Sequence, residues 1–71
     1  MQELTTMRRI HDRAVGSARQ VMVLAAAASA SGDEPTSFTL LQQSRGIRLA
    51  IGDRAGVAAC DAELARIAAL A

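Results

Sequence analysis

The residues of this chain that could carry out chemistry occur singly. His11 is the one histidine and Cys60 the one cysteine in 71 residues. A histidine could act as a pH switch or bind a metal, and a cysteine thiolate could act as a nucleophile. An ordinary zinc site needs about four such ligands and a disulfide needs two cysteines, so the composition provides neither. We therefore expect His11 to lie in an apolar helix face and Cys60 to pack as a small hydrophobic side chain.

The carboxylates show no arrangement that favours acid–base catalysis. Asp53, Asp61 and Glu63 are scattered along the chain. Asp33-Glu34 stand where a helix cap is expected. The segment 52–56 has two glycines, but it lacks the Gly-Lys-Ser/Thr ending of a phosphate-binding loop. The sequence thus predicts a protein that is not an enzyme and uses no cofactor and no metal.

The basic residues are all arginines, and half of them fall near the start of the chain. These four are Arg8, Arg9, Arg13 and Arg19, with Glu3 and Asp12 among them. Nucleic-acid binding would require a denser basic face, and single-strand binding would require aromatic stacking platforms. The chain has one aromatic residue, Phe38, and a net charge of +1. We therefore expect a solvated basic helix face and no nucleic-acid partner.

These residues belong to a pattern of helical period. From about residue 3 to residue 30, apolar residues recur within one arc at about 100° per residue, which predicts a long first helix. The arc consists of Leu4, Met7, Ile10, Ala14, Val15, Ala18, Val21, Met22, Ala25 and Ala28. Val23 and Leu24 lie outside it, which predicts that the end of this helix is covered on more than one side.

A turn at residues 31–35 and a second helix at about 35–52 follow. Gly32 suits the position just after a helix, and Pro35 suits only the first turn of the next one. The second helix has two apolar stripes. The first consists of Leu40, Ile47 and Ile51, which we expect to face Met7, Ala14, Ala18 and Ala25. The second consists of Phe38, Leu41 and Leu49 and predicts a second surface to be covered.

The pattern changes phase around residues 52–56. Beyond this point a new stripe is rotated away from the first stripe of the second helix; it consists of Val57, Cys60, Leu64, Ile67, Ala68 and Ala71. Two glycines and a potential cap at Asp53 permit a break, so residues 53–70 form either a short third helix or a continuation of the second. We favour the break. The predicted fold is an all-α antiparallel helical hairpin in one small domain, residues 1–71.

The predicted hairpin has little with which to build a core. About half of the residues are apolar (51%), but many are alanines, which bury little area. A chain this short usually needs disulfides, a metal or a partner, and only a partner or self-association is left here. Residues 21–28 are too few to cross a bilayer, so we expect no stable membrane insertion. Ala28-Ser29-Ala30 has the form of a signal-peptidase site, and a cleaved leader is an alternative for residues 1–30.

Residues 32–51 also carry a motif. The turn ends in Pro35, and the motif continues through Phe38, Leu41-Gln42-Gln43, Arg45, Ile47 and Ala50-Ile51. This order, the chain length and the long amphipathic first helix resemble the small YscE/PscE-type co-chaperones of type III secretion systems, which are helical hairpins. Gly46 and Arg48 stand where that family tends to have alanine and an acidic residue.

The resemblance implies a specific function. The protein would be a non-catalytic co-chaperone in the bacterial cytoplasm that pairs with a TPR-like chaperone and keeps a needle subunit monomeric before export. A helical-repeat partner offers a concave apolar surface that could complete the core of a short hairpin. From helical phase, we expect the partner-binding residues to be Phe38, Leu41 and Leu49, with Ile10, Val21 and Leu24.

A different class of function fits the same uncovered stripes. Two hairpins could pack as a symmetric four-helix bundle. The chain would then be a self-associating dimerisation or structural module of a secretion or other assembly, and it would form a homodimer in isolation.

Overall fold

The computed structural model describes residues 2–70, which form three α-helices and no strand. The helices are α1 (Gln2–Ala30), α2 (Glu34–Ala50) and α3 (Arg54–Ala68). α1 and α2 pack as an antiparallel hairpin, and α3 folds back along α2. The predicted all-α hairpin is confirmed. The third helical segment is separate from α2.

The turn between α1 and α2 is closed by Gly32 and Asp33. Gly32 has a φ of 85°, in the left-handed region that favours glycine. Its N–H donates to the Ser29 carbonyl at 3.0 Å, and the Asp33 N–H donates to the Ala28 carbonyl at 2.8 Å. These bonds satisfy the last carbonyls of α1. The Asp33 carboxylate accepts the N–H of Thr36 at 3.2 Å and so caps the start of α2.

A second Gly-Asp pair closes the turn between α2 and α3 in the same way. Gly52 has a φ of 74°, and its N–H donates to the Leu49 carbonyl at 3.1 Å. The Asp53 N–H donates to the Arg48 carbonyl at 2.9 Å, and the Asp53 carboxylate accepts the N–H of Gly56 at 2.9 Å. Each turn therefore ends one helix and caps the next within a few residues.

The core is small and lies toward the end of the molecule that contains the first turn. Ala25, Leu41 and Ile67, one from each helix, form its centre. Half-buried apolar side chains pack around them: Met22, Phe38, Leu40 and Leu64. α3 therefore completes a core that α1 and α2 do not close alone.

α1 and α2 are in contact through small side chains. Ser44 is fully buried, and its hydroxyl donates to the Ala18 carbonyl at 3.1 Å. Ala18, Ala25 and Ser37 are at most 2% exposed. The predicted contact stripe of Leu40, Ile47 and Ile51 is only half-buried. The buried side of α2 lies between its two apolar stripes because α2 packs against two neighbours.

α1 extends beyond the helix that packs against it. At about 1.5 Å per residue, its 29 residues span about 44 Å and the 17 residues of α2 span about 26 Å. All residues from 2 to 13 are exposed. Met7 does not face the first stripe of α2 as predicted, because α2 ends too early, and it is 66% exposed. We call residues 2–13 the amino-terminal arm.

Candidate protein-binding surface

Leu41 lies in the core and not on a surface open to a partner. Its side chain is 3% exposed and packs with Ala25 and Ile67. The second stripe of α2 does need a cover, as its phase indicates, but α3 supplies much of that cover from within the chain. The expectation that Leu41 contacts a partner is therefore corrected. The phase change at residues 52–56 is the sequence signal for the helix that covers it.

Phe38 lies at the edge of this core. It is half-buried and packs against the central cluster. With Pro35, Ile67 and Leu70 it lines an apolar groove of about 610 Å³ where α2 begins and α3 ends. Leu70 is 63% exposed, so the groove is open to solvent.

Leu49 lies toward the other end of α2. Its side chain is 60% exposed and lines a shallow pocket of about 300 Å³ with Val57 and the second turn. The three residues of the predicted second stripe thus lie in three different places: Leu41 in the core, Phe38 in the groove and Leu49 in this pocket. They do not form one continuous surface.

The candidates on α1 differ in exposure. Ile10 is 62% exposed and lines a pocket of about 310 Å³ with Arg13 and Ile47. Leu24 is 50% exposed, and Val21 is half-buried. Their spacing places both on the side of α1 that carries Ile10. These residues remain available as predicted contacts.

Leu4 and Met7, both on the apolar arc of α1, form an exposed apolar surface, although Met7 was expected to contact the second helix. They are 68% and 66% exposed, and Ile10 lies beside them. Spacings of three and four residues make them a continuation of the buried line of Ala18 and Ala25. The predicted second helix is much shorter than the first, and this difference alone indicates that part of the first is uncovered.

The arm is basic beside its apolar stripe. Arg8, Arg9 and Arg13 form no ion pair within residues 2–70. The ion pairs found in that range lie on α2, α3 and the turn between them: Arg45–Asp61, Arg48–Asp53 and Arg66–Glu63. Within the described residues these arginines therefore have no ion-pair partner, and they are exposed to solvent.

The single histidine and cysteine are not assembled into a reactive group. His11 lies on the apolar line of α1, but in the arm, where its side chain is exposed. Cys60 is fully buried, and its sulfur lies 3.7 Å from the sulfur of Met22. Within residues 2–70 no three potential metal-binding side chains cluster together. No helix in that range combines the length and apolar content needed to cross a membrane.

The two capping aspartates have lowered pKa values. Hydrogen bonds from the Thr36 side chain and N–H hold the pKa of Asp33 below its ordinary value. The N–H of Gly56 lowers the pKa of Asp53; partial burial opposes this, and the Arg48 guanidinium adds to the lowering. Both shifts follow from helix capping and so indicate a structural role.

Comparisons with known proteins provide no relative for the chain. No family model, no curated protein and no solved structure matches it. The residues and geometry described above, with the resemblance carried by residues 32–51, are therefore the basis for a function.

Proposed function

We propose that this chain is a non-catalytic co-chaperone. It pairs with a TPR-like chaperone in the bacterial cytoplasm and helps to keep a type III secretion needle subunit monomeric before export. One observation carries the proposal: large apolar side chains are more often exposed than buried. Leu41 and Ile67 are the large aliphatic side chains of the core, whereas seven large hydrophobic residues in the described range are exposed: Leu4, Met7, Ile10, Val23, Leu24, Leu49 and Leu70.

The energetic consequence favours a partner. Burial of one leucine-sized side chain contributes about 1.5–3 kcal/mol, and a stable domain has a free energy of unfolding of about 5–15 kcal/mol. Two such side chains, two alanines, Cys60 and four half-buried apolar side chains give this chain a small core. A partner that covered three or four of the exposed residues would contribute several kcal/mol, comparable to the stability of a whole domain.

The choice of partner class rests on the resemblance. The motif of residues 32–51 spans the first turn and α2, and the same segment contains Phe38 in its groove and Leu49 in its pocket. A helical-repeat chaperone has a concave surface into which a narrow helical protein fits. Helix-in-groove contacts of this kind use apolar anchors on exposed helix faces.

Co-expression tests the proposal directly. The chain would be produced with the TPR-like protein and the needle-like subunit encoded beside it in the same genome, and the purified complex would be weighed by light scattering. We expect a heterotrimer with one copy of each protein. Leu49→Gln should weaken co-purification, whereas Thr39→Gln, an exposed polar change on the same helix, should not.

The same measurement on the chain alone separates the two functional classes. A weakly helical or aggregating chain that becomes soluble with its partners supports the co-chaperone. A stable homodimer with a cooperative melt that binds neither partner contradicts it and favours the self-associating module.

A further inference from the structure

The amino-terminal arm has an apolar line that is largely uncovered by the described residues of the chain. Leu4, Met7 and Ile10 are each more than 60% exposed, although they belong to the arc of α1 that is buried further along at Ala18 and Ala25. α2 packs along this arc up to its last turn, in which Ile47 lines a pocket with Ile10 and which ends at Ala50. The uncovered line thus begins where α2 stops, and a helix placed end to end with α2 would continue the existing contact.

Arginines flank this line. Arg8 is four residues from Leu4 and Arg13 is three residues from Ile10, so each is a neighbour of the stripe on the helix surface. Neither forms an ion pair within residues 2–70, where ion pairs involve only residues of α2, α3 and the second turn.

Two acidic residues lie in the same segment: Glu3 is four residues from Met7, and Asp12 is four residues from Arg8. Asp53 of the second turn is also near, because the charge of His11 contributes to lowering the pKa of Asp53. The positive end of the α1 dipole lies at the start of this segment.

A second copy of the chain fits this surface poorly. Three exposed side chains offer roughly 300–400 Å² per copy, and two copies would bury well below the lower limit of about 1,200 Å² for a stable interface. An antiparallel pairing centred on Met7 would also place Arg8 against Arg8 of the second copy. A lipid surface is a poor match as well, because helices that lie on membranes usually present a larger apolar face with aromatic residues.

We propose that residues 4–13 are a docking surface for an amphipathic helix of a partner protein, one that carries glutamate or aspartate beside its apolar stripe and lies end to end with α2. Its apolar side chains cover Leu4, Met7 and Ile10, and its carboxylates pair with Arg8 and Arg13. The inference rests on the proposed function in one respect: the small area of the arm supports weak binding by itself, and a stable complex requires that the same partner also contacts other parts of the chain.

Synthetic peptides test this surface with the full chain. The probe is a helical peptide of about fourteen residues, four turns, with leucines in a heptad pattern and glutamates beside them. Its matched control has lysines in place of the glutamates. Binding is followed by the shifts of backbone amide signals in NMR spectra. We expect the acidic peptide to shift residues 4–13 and to bind about tenfold more tightly than the basic one, a difference that shrinks at about 0.5 M salt.

Variants of the arm assign the contacts. Met7→Gln and Arg8→Gln should each weaken binding of the acidic peptide severalfold, because they remove an apolar contact and a charge. Two control variants should leave binding of the acidic peptide unchanged. They are Arg9→Gln and Val23→Gln, the latter equally exposed on another face of α1. All four positions are exposed and glutamine is a good helix former, so the variants should fold.

Three results would overturn the inference. The first is equal binding of the acidic and basic peptides, and the second is a set of signal shifts outside residues 4–13. The third is no peptide binding, including the case in which the arm instead mediates binding to phosphatidylglycerol vesicles or dimerisation. None of them affects the co-expression result, in which a heterotrimer could form through other surfaces. A missing heterotrimer together with selective binding of the acidic peptide would reject the proposed co-chaperone function and keep the docking surface.

Discussion

Ser37 and Ser44 occupy buried positions on α2 where a helix pair often has large apolar side chains. They are 2% and 0% exposed, and the Ser44 hydroxyl reaches the backbone of α1 at Ala18. Small residues at a contact allow two helix axes to approach closely. The larger side chains of α2 then lie to either side of the contact, where they are only half-buried. The contact between α1 and α2 through small side chains is thus one reason why the core is small.

This close contact between α1 and α2 leads to a prediction for Ser44. Ser44→Leu should destabilise the fold by about 1–3 kcal/mol beyond the loss of its hydrogen bonds, because a larger side chain forces α1 and α2 apart. Ser44→Ala should cost only those bonds, in which the hydroxyl donates to the Ala18 carbonyl and accepts from Arg48 Nε, at about 0.5–1.5 kcal/mol each. Gln43→Leu, an exposed change on the same helix, is the control and should have little effect on stability. Urea unfolding followed by circular dichroism measures all three. If Ser44→Leu were stabilising, the close packing would be disproved.

Asp53 gives a prediction for pH dependence. Its pKa in the folded chain is lower than the ordinary aspartate value of 3.8, mainly because it accepts the N–H of Gly56. A lowered pKa stabilises the fold above the ordinary value, and this contribution is lost as pH falls through the folded-state pKa. The melting temperature should therefore fall below about pH 4. Asp53→Asn should reduce both the melting temperature at neutral pH and the size of that fall. Parallel curves for the two proteins would contradict this role.

At the scale of the elements, the two Gly-Asp turns determine where each helix ends. Gly32 and Gly52 both have a positive φ, whereas the glycines within the helices do not require one. A methyl group at Gly46 would meet open space, but one at Gly56 would overlap the side chains of Arg48 and Asp53. The same residue type therefore has three different roles in these helices and turns.

Alanine substitutions should separate these roles. Gly46→Ala should stabilise the fold by about 0.5–1 kcal/mol, because alanine has the higher helix propensity and the site is open. Gly52→Ala should destabilise it by about 1–2 kcal/mol through its left-handed backbone. Gly56→Ala should give no gain, because the new methyl group displaces the Arg48–Asp53 pair. Thermal unfolding of the three variants measures this order of stability. A higher melting temperature for the Gly52 variant would contradict a left-handed backbone at that turn.

At the scale of the whole molecule, the described chain is elongated. Its extents are 50 × 20 × 13 Å and its radius of gyration is 13.7 Å. A compact chain of this length would have a radius of gyration of about 11 Å. The difference comes from the arm and from the small core, which lies mostly at one end. A molecule of this shape has a large surface for its size.

The position of the core predicts the effect of losing α3 contacts. Ile67→Ala should cost about 2–5 kcal/mol, because Ile67 is one of three residues at the centre of the core. In a chain with so few buried side chains, this loss should abolish a cooperative thermal transition. Leu70→Ala, two residues beyond the end of the same helix and 63% exposed, should leave the transition in place. Cooperative unfolding of the Ile67 variant would show that α1 and α2 are stable without α3.

The residue patterns of the sequence were sufficient to predict the helices and turns of the fold. The helical period predicted the long first helix, the Gly32–Pro35 segment predicted the first turn, and the phase change at Gly52 indicated the break before α3. These features are local, because a turn or a cap depends on residues close together in sequence.

The tertiary structure decided which apolar residues are covered. Leu41 and Leu49 belong to one stripe in sequence, yet α3 buries the first and leaves the second exposed. Met7 belongs to the same arc as Ala18, yet only Ala18 lies within the reach of α2. The physical reason is that helical phase gives the direction of a side chain around its own axis, whereas burial depends on whether another helix extends that far. The arm and its exposed apolar line follow from that difference in length.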